Sequence, residues 1–285
     1  MNSRPVAAPF TERTPRVVAA RRLTRRAGRT ETGRFLAEGA QAVREALAYG
    51  VVHELFVTAA ARERNDDLVR AARVPVSDVT EKAAAAMSET VTPQGILAVC
   101  DLVDQPVDAA LGEHPMLIAV LCGIADPGNA GTVLRVADAA GADAVLFAGD
   151  TVDPHNGKCV RASAGSLFHL PVARTRHAAE ALAACRAAGL DLIAADGHAD
   201  DDLDTAADLD RPTAWVFGSE AHGLPPEISS LSDRSLRVPI HGKAESLNLA
   251  AAAAVCLYTS ASAQRYTRQS GSEHVTRRRP TRPVS

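Results

Sequence analysis

The segment GIADPGNAGTVLRVADAAG, residues 123–141, carries an amide and a guanidinium close to a turn. An apolar run enters a Pro-Gly turn, after which Asn129 can bond to the local backbone or cap a helix. Gly131 is predicted to open that helix, and Arg135 lies off its apolar stripe, one turn in. Arg135 can therefore point into the space that the loop encloses. A turn former and a solvated arginine would also explain this segment taken alone.

Residues 213–228, TAWVFGSEAHGLPPEI, place a carboxylate beside a glycine at the end of an apolar run. Gly218 has no Cβ and so allows a ligand to approach the backbone closely, and Glu220 follows two residues later. Prolines preset a short helix near residues 224–227. A capped turn with a solvated glutamate is the simpler interpretation of an isolated G-x-E sequence.

Residues 236–258, LRVPIHGKAESLNLAAAAAVCLY, pass from an apolar run through a flexible loop into an alanine-rich helix. Ser246 stands where an N-cap would for a helix beginning at Leu247. Asn248 then lies in the first turn, near free backbone amides that favour a carboxylate or phosphate. Capping does not explain Asn248, because asparagine is a weak helix former there. The alanine run at 250–254 predicts either a thin face for close packing or a simple core helix.

Alternating apolar strands and helices predict an α/β fold that positions these three segments. Before residue 104, short strands and alanine-rich helices indicate a small α/β module. From Met116 onward the strands are nearly continuous in apolar residues, which is typical of a parallel sheet covered on both faces. Ligands of such sheets bind beyond the carboxyl ends of the strands. All three segments are predicted to lie there.

Changes of composition and pattern divide the chain into five predicted parts. The segment at 101–115 is acidic, contains two prolines and lacks a sustained period, as expected of a linker. The predicted parts are a basic, flexible arm at 1–33, the α/β module at 34–103, a linker at 104–115, the parallel-sheet domain at 116–263 and a basic, disordered tail at 264–285.

The formal net charge of −3 conceals a strong asymmetry. Residues 1–34 hold nine Arg against two Glu, and the chain from Ala261 onward holds six Arg against one Glu. The intervening body is therefore strongly acidic. Basic ends suggest a polyanion partner, since Arg pairs bidentately with phosphates and releases counterions. We expect RNA contact at the N-terminal arm, whereas a dispensable, solubilising extension is the simpler interpretation of the C-terminal tail.

Several functional classes are disfavoured by what the sequence lacks. No apolar run approaches the roughly 20 residues that span a bilayer, and no secretory signal is visible, so we expect a cytoplasmic protein without membrane association. The five cysteines lie far apart and predict reduced, buried thiols, and the histidines show no ligand spacing, so no metal is expected. G-x-G-x-x-G, P-loop and G-x-S-x-G motifs are missing, which argues against Rossmann, P-loop and α/β-hydrolase enzymes.

In order and spacing, the three segments resemble motifs of the SpoU (TrmH) family of the SPOUT methyltransferase superfamily. The stretch NGKCVRASAGSLFHLPV at 156–172 also resembles the family's V-R-x-S-x-G region, so the match covers roughly residues 116–260. The module that begins with FLAEG is similar to the small substrate-binding domain of many relatives. The motif matches are N-x-G-x-x-x-R at Asn129 to Arg135, G-x-E at Gly218 to Glu220, and S-L-N at Ser246 to Asn248.

The resemblance implies a fold, an activity and partners. The expected fold is α/β, with a small N-terminal α/β substrate-binding domain followed by a parallel-sheet SPOUT domain with a C-terminal trefoil knot, assembled as a homodimer with its site near the subunit interface. The implied activity is transfer of a methyl group from S-adenosylmethionine to a ribose 2′-hydroxyl of RNA. The N-terminal module favours 23S rRNA, because tRNA-directed relatives often lack it. A tRNA 2′-O-methyltransferase and a non-catalytic RNA-binding or ribosome-assembly protein are the alternatives.

The resemblance also assigns roles to residues. We expect Arg135 to clamp an RNA phosphate rather than act as a base, because a guanidinium with a pKa above about 12 is a poor proton acceptor. The proton of the hydroxyl could pass to water, to the phosphate or to Glu220. The implied catalytic residues are Asn129, Arg135, Glu220, Ser246 and Asn248, and the implied cofactor contacts are Ala195, Gly218, Val238, Ile240 and Leu247.

Overall fold

The structure, a computed structural model, describes residues 8–276, with side chains described as far as Thr267. Its first sheet has four strands in the order β1-β4-β2-β3 and carries helices on both faces. Thr58 and Thr80 each cap a helix by accepting a hydrogen bond from a first-turn backbone N–H. The elements are α1 (Pro15–Arg22), α2 (Arg26–Thr32), β1 (Arg34–Glu38), α3 (Ala40–Tyr49), β2 (Val52–Val57), α4 (Ala59–Arg64), α5 (Asp66–Ala71), β3 (Val76–Asp78), α6 (Glu81–Met87) and β4 (Ile96–Asp101).

The second sheet has seven strands, all parallel, in the order β11-β9-β10-β6-β7-β8-β5. Strands β6, β7 and β10 are buried along their whole length, which explains their unbroken apolar sequences. The elements are β5 (Asp104–Gln105), α7 (Val107–Leu111), β6 (Leu117–Cys122), α8 (Pro127–Ala140), β7 (Ala144–Ala148), α9 (Gly157–Ala162), β8 (Val172–Thr175), α10 (Ala178–Ala187), β9 (Asp191–Ala195), β10 (Thr213–Phe217), α11 (Pro226–Ser229), β11 (Arg234–Leu236) and α12 (Leu249–Thr276), with 3₁₀ turns at Ser166–Phe168 and Leu203–Thr205.

One hydrophobic core runs through both sheets. It joins Phe35 and Val43 of the first sheet's layer to Leu121, Phe147 and Trp215 of the second. A separate core lies under α1 and α6 on the outer face of the first sheet, and another lies under α7 and α10 on the far face of the second. The two sheets are therefore joined by continuous apolar packing rather than by a tether.

The strand order of the second sheet reverses at its centre. The chain builds β6, β7 and β8 outward in one direction, then crosses to β9 and inserts β10 between β9 and β6. Ligands of such sheets bind beyond the carboxyl ends of the strands at the point of reversal. The loops that follow β6 and β10 leave the sheet at this point, because the two strands are adjacent and parallel.

The prediction that residues 1–33 form a flexible arm is wrong for the part that the structure describes. Residues 15–32 form α1 and α2, and Val17, Ala20 and Leu23 are buried against the first sheet. These three apolar residues recur every three positions among the arginines, so they form one face of a helix. Residues 1–7 lie outside the described residues.

The predicted linker and tail also differ from the structure. Asp104–Gln105 pairs with β8 as an edge strand, and α7 buries Ala110 and Leu111. Pro106 takes the N-cap position of α7, where a missing N–H costs nothing. The last helix continues through residue 264 to Thr276, and Gln264 is buried with hydrogen bonds to two backbone carbonyls. Residues 277–285 lie outside the described part.

Among residues 8–276, none of the helices has the length and apolar character needed to span a membrane.

Candidate active site

Asp126 organises the loop between β6 and α8. Its Oδ1 accepts a hydrogen bond from the backbone N of Asn129 at 2.9 Å and caps the helix, which begins at Pro127. The expectation that Gly131 opens the helix is therefore wrong by one turn. Gly131 instead lies against α9, where a Cβ would come within 2.3 Å of the Cys159 carbonyl oxygen. Because Asp126 is the cap, the side chain of Asn129 is left available for other partners.

Asn129 joins all three polar segments. Its Nδ2 donates to Glu220 Oε1 at 2.9 Å, and its Oδ1 accepts from Asn248 Nδ2 at 3.0 Å. Asn129 is partly buried, whereas Glu220 and Asn248 are exposed. We call these three residues the Asn129 cluster. Residues separated by 91 and 119 positions in the chain thus meet at the carboxyl edge of the second sheet.

Asn248 has a second role as the cap of α12. Its Oδ1 accepts from the backbone N of Ala250 at 2.9 Å, and the helix begins at Leu249. The predicted N-cap, Ser246, is wrong because the helix begins two residues later than expected. Ser246 is exposed, and its side chain has no hydrogen-bond partner among the described residues.

Gly218 allows the loop after β10 to fold back on itself. A Cβ at this position would come within 2.2 Å of the Gly223 carbonyl carbon and 2.3 Å of the Leu224 nitrogen. Ser219 and Gly223 exchange two backbone hydrogen bonds across the loop. The close approach that Gly218 permits is therefore that of its own loop, which holds Glu220 toward Asn129.

Arg135 is not part of the Asn129 cluster. The helix begins at Pro127, so Arg135 lies two turns in rather than one. Six residues separate it from Asn129, which corresponds to about 9 Å along the helix and about 120° around it. Arg135 is exposed, and its guanidinium has no ion pair or hydrogen bond within the part of the chain that the structure describes. The chain therefore gathers Asn129, Glu220 and Asn248, but not Arg135 or Ser246.

Lys158 is a cation beside the cluster that we did not anticipate from the sequence. Its Nζ lies 2.6 Å from Asp126 Oδ2, the second oxygen of the residue that caps α8. This hydrogen bond, together with the backbone N–H of Asn129, holds the pKa of Asp126 below its usual value. Asn156 caps α9 and so fixes the helix that carries Lys158. The G-K pair in the segment at 156–172 was the available signal.

The residues implied as cofactor contacts lie along one edge of the sheet. Phe217 is paired with Ala195 in the neighbouring strand, and Leu236 of β11 is paired with the same alanine. The carboxyl ends of three adjacent strands therefore coincide, so Ala195, Gly218 and the start of the loop at Val238 are close. Ile240 and Leu247 expose 38% and 40% of their surface on this loop. The edge thus offers backbone polar groups together with exposed apolar side chains.

Thiol and metal chemistry find no support among the described residues. Burial raises the pKa of four thiols to about 12 and also raises that of Cys159, so none is a ready nucleophile. The four are Cys100, Cys122, Cys185 and Cys256. Within residues 8–276, no group of three or more His, Cys, Asp or Glu is arranged to hold a metal ion.

Comparison with known proteins matches both parts of the chain to family models. Residues 116–258 match the SpoU rRNA Methylase family, and residues 14–98 match the MRM3-like substrate binding domain. The chain is 35% identical to the Bacillus subtilis 23S rRNA (guanosine(2553)-2′-O)-methyltransferase, over 81% of this chain and 89% of that protein. It is 31% identical to the Streptomyces viridochromogenes 23S rRNA (uridine(2479)-2′-O)-methyltransferase, over 87% of this chain and 93% of that protein.

Solved structures agree with these matches. The SpoU methyltransferase AviRb from Streptomyces viridochromogenes, in complex with the cofactor AdoMet, superposes with a TM-score of 0.79 at 30% identity and covers 90% of this chain and 99% of that one. An AdoMet-bound rRNA methyltransferase from Sinorhizobium meliloti superposes with a TM-score of 0.75 at 32% identity, covering 89% of this chain and 95% of that one. The chain therefore belongs to the SpoU rRNA methylase family.

Proposed function

We propose that this protein transfers the methyl group of S-adenosylmethionine to a ribose 2′-hydroxyl of 23S rRNA. The observation that carries the proposal is the Asn129 cluster, which joins the three motif segments by side-chain hydrogen bonds at one sheet edge. The names of the similar Bacillus and Streptomyces enzymes support 23S rRNA as the substrate. The N-terminal match to a substrate binding domain supports an RNA-binding role for residues 34–103, ahead of a methyltransferase domain at 116–263.

The sheet edge fits S-adenosylmethionine. An adenosine group needs apolar surface for its ring and backbone groups for its polar atoms, and both are present there. Ala195, Gly218, Val238, Ile240 and Leu247 would hold it. When bound, the cofactor supplies an electrophilic methyl group. The task left to the protein is to orient the ribose hydroxyl and to receive its proton.

Within the cluster, Glu220 is suited to receive that proton. Its Oε1 is held by Asn129, whereas Oε2 has no hydrogen-bond partner among the described residues. We propose that Oε2 holds the ribose 2′-hydroxyl and accepts its proton, while the amides of Asn129 and Asn248 fix the nucleotide. Glu220→Gln keeps an oxygen that can accept from Asn129 but cannot take up the proton. Methyl transfer by this variant should fall at every pH tested, and a variant with the wild-type rate would contradict the role.

Arg135 is proposed to clamp an RNA phosphate next to the target ribose and to stabilise developing negative charge. Its guanidinium is exposed and has no ion pair or hydrogen bond among the described residues, which supports this role. A planar guanidinium also binds phosphate through two hydrogen bonds, which an ammonium does not do. Comparing Arg135→Lys with Arg135→Ala tests it. Nearly full turnover in the lysine variant would argue against a bidentate clamp.

We further propose a homodimer in the cytoplasm, with a trefoil knot at the C-terminal end of each chain. Val255 and Tyr258 of α12 are 39% and 44% exposed and share a helix face with Ala251, which supports an apolar contact there. Light scattering should then show that Tyr258→Asp is a monomer.

Two features support the knot. Strand β10 is inserted between β9 and β6, and α12 returns onto α8. An experimental structure that traces residues 191–258 would test it.

Incubation with tritium-labelled S-adenosylmethionine tests the function directly. The purified protein is mixed in parallel with 23S rRNA, 16S rRNA and tRNA that lack modifications, and the labelled ribose is then mapped. We expect label in 23S rRNA alone, incorporated about 100-fold more slowly by Asn129→Ala. Label in tRNA would indicate a tRNA 2′-O-methyltransferase, and bound cofactor without label in any pool would indicate a non-catalytic RNA-binding protein.

A further inference from the structure

A buried arginine fixes the turn between α1 and α2 to the second sheet's domain. Arg29 is only 3% exposed, and its Nε and Nη2 both donate to Asp153 Oδ2, at 2.9 and 2.8 Å. Its Nη1 donates to the carbonyls of Leu23 and Thr24, each at 3.0 Å. One guanidinium therefore locks the turn and binds it to the segment that precedes α9.

The acceptor is equally constrained. Asp153 Oδ1 takes hydrogen bonds from the backbone N and Nδ1 of His155, and Arg174 Nη1 lies 3.4 Å away. Burial opposes ionisation of Asp153, but His155 and Arg29 together hold its pKa well below its usual value. The pair is charged and buried, so it ties the α1–α2 turn to the domain that carries the Asn129 cluster.

Three arginines around this turn point their charge outward. Arg21, Arg25 and Arg26 are exposed, and none has an ion pair or side-chain hydrogen bond among residues 8–276. Their neighbours differ, because Arg16 pairs with Glu54 and Arg22 pairs with Glu31. The turn therefore presents an uncompensated positive surface on an otherwise acidic protein. We call Arg21, Arg25 and Arg26 the turn arginines.

The turn lies one short helix away from the cluster. Leu23 and Thr24 line a small cavity together with Gly157 and Arg161 of α9. That helix also carries Lys158, which holds the cap of the helix bearing Asn129. The six residues of α9 span about 9 Å, and this helix contacts the turn through Gly157 and Arg161 and the cap of α8 through Lys158.

We propose that the turn arginines bind backbone phosphates of the RNA that flanks the methylated nucleotide, on a surface that Arg29 holds at a fixed distance from the site. This inference rests on the proposed RNA methyltransferase function and adds to it a binding surface outside the motif segments. Phosphate binding by three guanidinium groups is independent of sequence and is weakened by salt. The surface therefore increases affinity for RNA and positions the strand, but it does not select a base sequence.

The test compares two triple variants with the same loss of charge. Arg21→Ala/Arg25→Ala/Arg26→Ala removes the turn arginines, and Arg64→Ala/Arg70→Ala/Arg73→Ala removes three exposed arginines from the opposite face of the first sheet. The readouts are KM and kcat for 23S rRNA at several salt concentrations, together with S-adenosylmethionine binding. For the turn variant we expect KM to rise about 10-fold or more, with kcat and cofactor binding unchanged. The slope of log KM against the logarithm of salt concentration should be lower by about 2.

The outcomes separate this inference from the function on which it rests. Wild-type KM and salt slope in the turn variant, with an active wild-type enzyme, would overturn the binding surface alone. Equal losses in both triple variants would overturn it as well, because general charge would then explain binding. A wild-type enzyme that labels no RNA would instead overturn the proposed function.

Discussion

The Asn129 cluster and the Arg29–Asp153 pair both join distant parts of the chain by side-chain hydrogen bonds, but in opposite physical settings. The cluster is largely exposed and two of its three members are neutral amides. The pair is charged and almost completely buried, at 4% and 6% side-chain exposure. Water can replace the contacts of the first, whereas nothing can replace those of the second. Exposed networks can exchange partners with a substrate, and buried ion pairs hold domains in place.

Loss of the buried acceptor should have the largest effect on stability. Asp153→Ala leaves the guanidinium of Arg29 buried without its counter-charge, so the free energy of unfolding should fall by about 3–5 kcal/mol. Urea denaturation measures this effect. Asp150→Ala, at an exposed position three residues away, should change stability by less than about 0.5 kcal/mol. Equal stability of the two variants would contradict the structural role of the pair.

The cluster should show the reverse pattern. Asn129→Ala removes the residue that links Glu220 to Asn248, and turnover should fall about 100-fold or more, by analogy with the loss of one positioned donor. The free energy of unfolding should change by only about 1 kcal/mol, because the lost hydrogen bonds are exposed. Ala139→Ser, at an exposed position near the end of the same helix, serves as the activity control. A large loss of stability with intact turnover would reverse the assignment.

Substitutions of Asn248 can separate its two roles, which are the cap of α12 and the hydrogen bond to Asn129. Serine can cap a helix but is too short to reach Asn129, so Asn248→Ser should keep stability and lose turnover. Asn248→Ala should lose turnover to the same extent and about 1 kcal/mol of stability as well. Thermal unfolding and methyl transfer, measured on both variants, distinguish the two roles. A serine variant with full activity would show that only the cap matters.

The smallest effect concerns a histidine between the two domains. His169 lies 2.8 Å from Asp138 on α8 and 3.1 Å from Glu45 on α3. Burial lowers its pKa, but the two carboxylates outweigh burial and raise it above its usual value. The bridge should therefore stabilise the fold fully below pH 6.5, the usual pKa, and lose its contribution as pH rises through the raised value. The difference in free energy of unfolding between wild type and His169→Gln, measured from about pH 5 to 9, should become smaller as pH rises. A difference that does not change with pH would contradict the bridge.

The strands and the common edge could be predicted because burial leaves a direct signal in sequence. Strands such as β6 and β10 are covered on both faces, so nearly every position is apolar. The carboxyl edge of a parallel sheet then follows, and the resemblance to the SpoU family is confirmed by the comparisons. The order of strands, which brings Asn129 to Glu220, depends on pairings between distant segments and has no local signal.

Helix starts and buried charges were harder to predict for local reasons. The Pro-Gly pair after Asp126 indicates a turn, although an acidic cap followed by proline also begins a helix. Val17, Ala20 and Leu23 have helical spacing, but the many arginines around them hide this apolar face in the sequence. The burial of Arg29 depends on Asp153, 124 residues away, so the sequence around Arg29 cannot distinguish it from its exposed neighbours.

The position of β10 in the sheet has a consequence for the order in which the protein can assemble. Thr213 is paired with Leu117, so the centre of the sheet closes across almost a hundred residues of intervening chain. Strands that are so far apart in the chain pair slowly, because closing the long intervening loop costs entropy before any contact compensates for it. During synthesis the first sheet is complete once Asp101 has emerged, whereas the bond between Asn129 and Asn248 needs nearly the whole chain. The residues of the first sheet are therefore all available long before those that form the Asn129 cluster.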